Sequence, residues 1–192
     1  MRIKFLMAFL GLMSSTQSYS NERILIPSEY KSFWVDGERG YTVDRDFFNN
    51  TEQVVFMFSP KRDAQEDTWF TNCFNNQYMG IEVFSCITQN KDFAVLTNDN
   101  GKGIVFNLHK SPKQNQEYKI NFKIDNSPIR TLEERVLPPG AEANFLILDL
   151  MKGKKLTYSW ETSTGYSNSV INLVGFKESI EFATKMLKLN SR

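Results

Sequence analysis

The chain has 192 residues, of which 23 are lysine or arginine, 22 are aspartate or glutamate and one is histidine, so its formal net charge is +1. A charge this close to zero provides no general attraction to nucleic acid or to anionic lipid, and we expect no nucleic-acid partner. Aromatic residues make up 14% of the chain, a content that excludes a disordered protein and favours strands with large buried side chains.

The first twenty residues have the pattern of a cleavable secretory signal. Two basic residues precede an apolar run from Phe5 to Met13, and small residues follow at positions 18 and 20. This run is far shorter than the roughly 20 residues that a membrane-spanning helix needs, and no later segment approaches that length. We therefore expect a signal peptide over residues 1–20, no membrane span, and a periplasmic or secreted protein.

The chain contains two cysteines, Cys73 and Cys86. In an oxidising compartment a disulfide between them is the simplest expectation, and closing so short a loop stabilises a fold by about 3 kcal/mol in the loop-entropy model. A thiolate metal site or a reactive thiol is disfavoured, because the spacing is not Cys-x-x-Cys and the single histidine, His109, lies 23 residues beyond Cys86. We place His109 at the surface, at the end of a strand.

Most of the chain beyond the leader has the pattern of short strands separated by polar turns. In the segment from Glu117 to Asp125 apolar and polar residues alternate, which predicts a half-buried antiparallel strand. An Asn-Gly step at Asn100-Gly101 predicts a hairpin, because both residues accept positive φ. Further strands are predicted in four β-branched or aromatic runs: Val54 to Phe58, Ile81 to Ile87, Phe93 to Thr97 and Ile104 to Leu108.

The C-terminal part combines a second hairpin with helices. The run from Ala141 to Met151 predicts a short helix, with a strand as the alternative. Strands at Leu156 to Trp160 and Val170 to Val174 flank a turn at Thr164-Gly165, and an amphipathic helix starts at Phe176 and should cover one edge or face of the sheet. We predict one mainly β domain over residues 21–192, an antiparallel β-sandwich or barrel-like domain with a C-terminal amphipathic helix.

In the C-terminal third, a strand runs into Leu173-Val174-Gly175-Phe176 and then into a terminal helix, and a Leu-rich, Gly-ended segment, 148–158, precedes a strand. In these features the chain resembles the invasion-associated locus B family of secreted bacterial proteins. The resemblance covers residues 118–187. Near its front the family tends to carry a Trp shortly before a Cys, whereas Trp34 has no Cys nearby. The resemblance implies a compact β-sandwich or barrel-like domain, exported by a Gram-negative bacterium and associated with host interaction, with no catalytic residues to carry over.

One group of carboxylates leaves enzymatic chemistry open. Asp36, Glu38, Asp44 and Asp46 lie within eleven residues of one another, and such carboxylates could act as an acid and base pair or hold calcium. The spacing matches no EF-hand loop, and acidic residues around glycines are typical of a solvated turn. We expect the solvated turn, and we expect no metal, no nucleotide-phosphate site and no cofactor.

A second group consists of aromatic residues around the first cysteine. Trp69, Phe70, Phe74 and Tyr78 lie in the segment Ser59 to Gly80, which is the least regular part of the sequence and whose charged first half is predicted to be an exposed loop. One interpretation is a small core packed around the disulfide. The other is that a disulfide-braced loop presents these four side chains to a partner as rigid anchors.

These observations favour a non-catalytic exported protein that binds another macromolecule, most simply a protein partner. The specific versions of this hypothesis are a host-interaction or virulence accessory factor and a periplasmic inhibitor. One alternative is a small-ligand or glycan-binding module whose aromatic rings stack on sugars. The other is a carboxylate-dependent periplasmic hydrolase that uses the residues near Asp44.

Overall fold

The computed structural model describes residues 23–31, 33–34, 40–48, 51–60, 67–78, 81–108 and 119–191. The strands in chain order are β1 (Phe33–Trp34), β2 (Gly40–Phe48), β3 (Thr51–Ser59), β4 (Trp69–Tyr78), β5 (Ile81–Asn90), β6 (Phe93–Asn98), β7 (Gly101–Phe106), β8 (Ile120–Ile124), β9 (Arg130–Leu132), β10 (Val136–Leu137), β11 (Lys155–Thr162) and β12 (Gly165–Asn172). The helices are α1 (Ala141–Leu150) and α2 (Phe176–Asn190).

The strands form two antiparallel sheets. In the large sheet β1 to β7 follow one another in chain order and β10 pairs with β7, whereas the small sheet has the order β12-β11-β8-β9. Strands that are neighbours in sequence are therefore mostly neighbours in space.

One face of the large sheet carries the core. Side chains alternate between the two faces of a strand, and on β3 the three that point to this face, Val54, Phe56 and Phe58, are at most 5% exposed. Helix α2 packs on this face against β3 to β6, with the ring of Phe182 stacked on that of Phe56 at a centroid distance of 4.6 Å. We call this side the covered face.

The small sheet is attached to the same side of the large sheet. The indole Nε1 of Trp69 donates a hydrogen bond of 3.0 Å to the backbone carbonyl of Asn172 at the end of β12. The ring of Phe106 on β7 contacts Phe122 of β8 and Tyr158 of β11, with centroids 6.4 Å and 5.1 Å apart. Both sheets and both helices thus contribute to one hydrophobic core.

The structure confirms the mainly β, antiparallel fold with a C-terminal helix. The Asn100-Gly101 hairpin is present, since Asn98 pairs with Gly101 across the turn, and the second hairpin pairs Thr162 with Gly165. The segment from Ala141 is a helix, so its alternative as a strand is wrong. The predicted C-terminal helix covers a face of the large sheet.

Two expectations about irregular segments are wrong. Trp69–Tyr78, expected to be part of the least regular segment, is the ten-residue central strand β4. Asp44 and Asp46, expected in a solvated turn, lie within strand β2. In both cases polar residues occupy the less buried face of the strand, Asp44 and Asp46 on β2 and Asn72 on β4, so composition alone suggested a turn or loop. The charged residues 61–66 lie outside the described part.

A glycine fixes the connection from β12 to α2. Gly175 has φ +93°, a conformation that other residues rarely adopt, and a Cβ placed there would lie 2.1 Å from the ring of Phe58. The chain therefore turns here in contact with the core. In the part of the chain that the structure describes, neither helix is long and apolar enough to cross a membrane.

Candidate functional site

The face of the large sheet opposite to α2 is the main candidate site. It carries apolar side chains that are partly exposed, in contrast to the residues of the covered face. We call this surface the open face and define it by eight side chains: Val55, Met57, Phe70, Phe74, Ile87, Leu96, Val105 and Val136.

Strand register brings these side chains together. Met57 lies directly opposite Phe70, and Ile87 lies opposite Leu96. Since directly opposed residues of antiparallel strands point to the same face, these apolar groups share one face from β3 to β10, together with the polar side chains of Asn72 and Gln89. At the β10 end, Leu96, Val105 and Val136 are 36%, 38% and 42% exposed.

The elements that cover the large sheet lie on its other side. Thr71, which alternates with Phe70, donates a hydrogen bond of 3.4 Å to the backbone carbonyl of Ser179 in α2. The ring contacts with the small sheet also come from covered-face residues such as Phe106. Among the described elements, we find both α2 and the small sheet on the covered face only.

The four aromatic residues predicted to bind a partner are divided between the two faces. Trp69 is 0% exposed and belongs to the core, which corrects the idea that all four could be presented at the surface. Phe70 and Phe74 are partly exposed members of the open face. The side chain of Tyr78 lies outside the described residues. Partner contact through Phe70 and Phe74 stays a prediction.

The predicted disulfide lies at the centre of the large sheet. Cys73 of β4 and Cys86 of β5 are bonded, are directly opposite each other in register, and are both 0% exposed on the covered face. The bond joins the two strands that carry Phe70, Phe74 and Ile87 on the other side. It therefore braces the middle of the open face from behind.

Polar groups border the open face on its β2 side. Asp44 and Asp46 are exposed, and Asp46 accepts a hydrogen bond of 3.2 Å from the side-chain amide of Gln53. Gln53 in turn accepts one of 2.6 Å from the side-chain amide of Asn72. The open face thus combines apolar side chains with the amide of Asn72 and has an acidic border on β2.

The remaining residues that the sequence suggested for catalysis do not form a catalytic group within the described part of the chain. Asp36, Glu38 and His109 lie outside the described residues. Asp44 and Asp46 lie on an exposed sheet face, two residues apart on one strand. Within the described ranges, no group of three or more His, Cys, Asp or Glu side chains could hold a metal ion.

A buried polar cluster, which was not predicted from the sequence, lies between the sheets. The hydroxyl of Tyr158 donates to the backbone carbonyls of Asp92 and Asn107, at 2.8 Å and 3.2 Å, and Ser169 donates to the Asp92 carboxylate. Burial raises the pKa of the Tyr158 hydroxyl far above its ordinary value of 10.0. Its hydrogen bonds attach β11 to the turn between β5 and β6 and to the end of β7. The only sign of this role in the sequence is that Tyr158 occupies an apolar position of an alternating strand.

Comparison with known proteins adds no relative: no family model, no curated protein and no solved structure matches this chain.

Proposed function

We propose that the chain is an exported, non-catalytic binding protein whose open face docks on an apolar surface of another protein. The observation that carries this proposal is the group of eight partly exposed apolar side chains on one face of a sheet whose described covering elements lie on the opposite side. Large contiguous apolar patches are rare on monomeric proteins and mark interaction surfaces.

The centre of the open face has the properties of a binding hot spot. Phe70 and Phe74 lie on a central strand, tied covalently to β5 through Cys73. Aromatic side chains on a rigid backbone lose little conformational entropy on association, and those fully desolvated at an interface centre dominate its energy. Completing the burial of one such ring contributes about 1 kcal/mol or more.

The border of the open face indicates the charge of the partner. Asp44 and Asp46 are exposed at the β2 side, and Asp44 forms no ion pair with any residue that the structure describes. A partner with basic side chains beside its apolar patch would match this border. Such rim charges contribute to orientation and association rate more than to affinity.

Export and biological role belong to this proposal as well. The leader pattern in residues 1–20 supports export, and a buried disulfide is typical of proteins from oxidising compartments. The resemblance to the invasion-associated locus B family adds host interaction as the leading role, with inhibition of a periplasmic enzyme as the second.

A matched pair of positions tests the docking surface. A photoactivatable amino acid at Ile87 places a cross-linker in the middle of the open face, and the same residue at Tyr166, which is 77% exposed on the small sheet, is the control. We expect irradiation in a periplasmic or host extract to give a discrete protein adduct from position 87 and none from position 166. Adducts of equal yield from both positions, or from neither, would contradict the proposal.

A pair of charge substitutions gives an independent readout. Phe70→Asp should abolish retention of the cross-linked partner, whereas Tyr166→Asp should leave it unchanged, with the melting temperature of both variants confirming their fold. Glycan binding is the second candidate, because Phe70 and Phe74 are partly exposed rings on one face that could stack on sugars. A glycan-array signal lost in Phe70→Asp, with no protein retained, would favour this candidate.

A further inference from the structure

An open groove lies between the two helices, on the covered side of the large sheet. It has a volume of about 610 Å³, within the range of small-ligand sites. Ile147 of helix α1 and Met151, which directly follows this helix, form one wall, and Ile180 of helix α2 lies on the other. We call it the inter-helix groove. It is separate from the open face, which lies on the other side of the sheet.

The floor of the inter-helix groove is apolar. Ile147 and Ile180 are each 2% exposed, and Leu148, which is 50% exposed, stands at the opening. Phe145, one turn earlier on the same side of α1, is 69% exposed. On this side the lining residues extend from Asn144 to Met151, and seven helical rises correspond to about 10 Å of groove. This length matches a medium-length aliphatic chain.

The same groove concentrates positive charge. Lys102 of β7 and Lys185 and Lys188 of α2 line it, against a single acidic residue, Glu181. Glu181 forms a salt bridge of 3.8 Å with another lysine of α2, and Lys185 forms a salt bridge of 3.0 Å with Glu29. In the part of the chain that the structure describes, Lys102 and Lys188 form no salt bridge.

The charge of Lys102 is held at an energetic cost in the inter-helix groove. Burial lowers the pKa of the Lys102 ammonium, and the charge of the nearby Lys188 lowers it further. Lys102 is partly buried and is repelled by the charge of Lys188, and a bound anion would offset both this repulsion and the lost hydration of Lys102.

We propose that the inter-helix groove binds a single-chain aliphatic carboxylate, with the carboxylate held between Lys102 and Lys188 and the chain lying on the apolar floor. The two carboxylate oxygens match two ammonium donors, since charge-assisted hydrogen bonds to a carboxylate are strong. Both charged donors are lysine ammonium groups, since the lining contains no arginine, and comparison with decyl phosphate distinguishes a carboxylate from a phosphate headgroup.

Calorimetric titration with decanoate, below its aggregation concentration, tests this proposal. We expect saturable one-to-one binding, weakened at least tenfold in the double variant K102Q/K188Q. Lys123→Gln, an exposed lysine on the outer side of the small sheet, is the charge-matched control and should bind within twofold of the parent. Leu148→Asn should also weaken binding, and octanoate should bind about four- to sixteenfold more weakly than decanoate.

Four results would overturn the proposal. Decyltrimethylammonium binding as tightly as decanoate would show apolar adsorption without recognition of the anion. Acetate binding as tightly as decanoate would show that the aliphatic chain of the ligand is not recognised. Decyl phosphate binding tenfold more tightly than decanoate would show that a carboxylate is not the preferred headgroup. Weakening by Phe70→Asp would place the ligand on the open face instead, whereas loss of partner cross-linking at Ile87 leaves this proposal standing.

Discussion

Two adjacent residues of β4 give the sharpest test of the two-faced sheet. Trp69 points to the covered face and is 0% exposed, whereas Phe70 points to the open face and is partly exposed. If the assignment of faces is right, truncating the first residue to alanine unfolds the protein far more easily than truncating the second. The two variants differ by one position in the chain, so local strand propensity affects both alike.

The expected magnitudes follow from burial. Trp69→Ala removes a fully buried ring that packs on Phe93 and Phe176, with centroid distances of 6.3 Å and 4.8 Å, and such truncations cost about 3–5 kcal/mol. The Asn172 carbonyl also loses its indole donor, which adds about 1 kcal/mol. Phe70→Ala removes a ring that keeps part of its surface in water, at a cost of about 1 kcal/mol.

Urea unfolding followed by circular dichroism measures both changes in the free energy of unfolding. A gap of about 3 kcal/mol between the variants is expected, equivalent to a difference in melting temperature of about 6–12 °C for a chain of this size. Trp69→Phe, which keeps an aromatic ring but loses the indole donor, should fall between them. Equal destabilisation by both alanine variants, or a greater loss from Phe70→Ala, would refute the assignment of faces.

Three further outcomes are expected. Replacing Cys73 and Cys86 by alanine should lower the free energy of unfolding by about 3 kcal/mol in chemical denaturation, and reduction of the parent should match it; no change would exclude a stabilising bond. Gly175→Ala should prevent folding or lower the free energy of unfolding by more than 3 kcal/mol, because a Cβ there overlaps a ring on β3. Gly165→Ala should cost only about 1–2 kcal/mol, because Gly165 has φ +120° but open space around it. Equal losses of stability in the two variants would contradict the overlap. The raised pKa of Tyr158 means that the folded state retains its proton longer than the unfolded state, so stability falls as the pH rises above about 10; Tyr158→Phe should flatten this alkaline slope in pH-dependent unfolding, and an unchanged slope would count against it.

The fold class could be predicted because the deciding signals are local. The alternation in the β8 segment, the Asn100-Gly101 turn and the apolar periodicity after Phe176 each specify an element through neighbouring residues. The disulfide was also predictable, since two cysteines in a chain with a leader pattern leave one intramolecular pairing. Helix α1 was ambiguous because its exposed Phe145 and Leu148 weaken the amphipathic pattern.

The candidate sites could not be predicted with the same success, because they depend on pairing between distant segments. Which of Trp69 and Phe70 faces the core is set by the register of β4 against β3 and β5, which no local pattern reveals. The inter-helix groove brings Lys102 of β7 next to Lys188 of α2, 86 positions further along the chain by their residue numbers. Each lysine by itself has the sequence context of an ordinary surface residue.

The disulfide helps to determine which residues of β4 lie on the open face. Cys73 and Cys86 are directly opposed, with Cα atoms 4.1 Å apart, so the bond is compatible with only one register of β4 against β5. A slip of β4 by one residue would turn Phe70 inward and expose Trp69, which would exchange the residues of the two faces. Partner cross-linking from Ile87 should therefore be weaker in the double alanine variant of the cysteines, even under conditions where that variant is folded. Cross-linking of undiminished yield would mean that the core alone fixes the register.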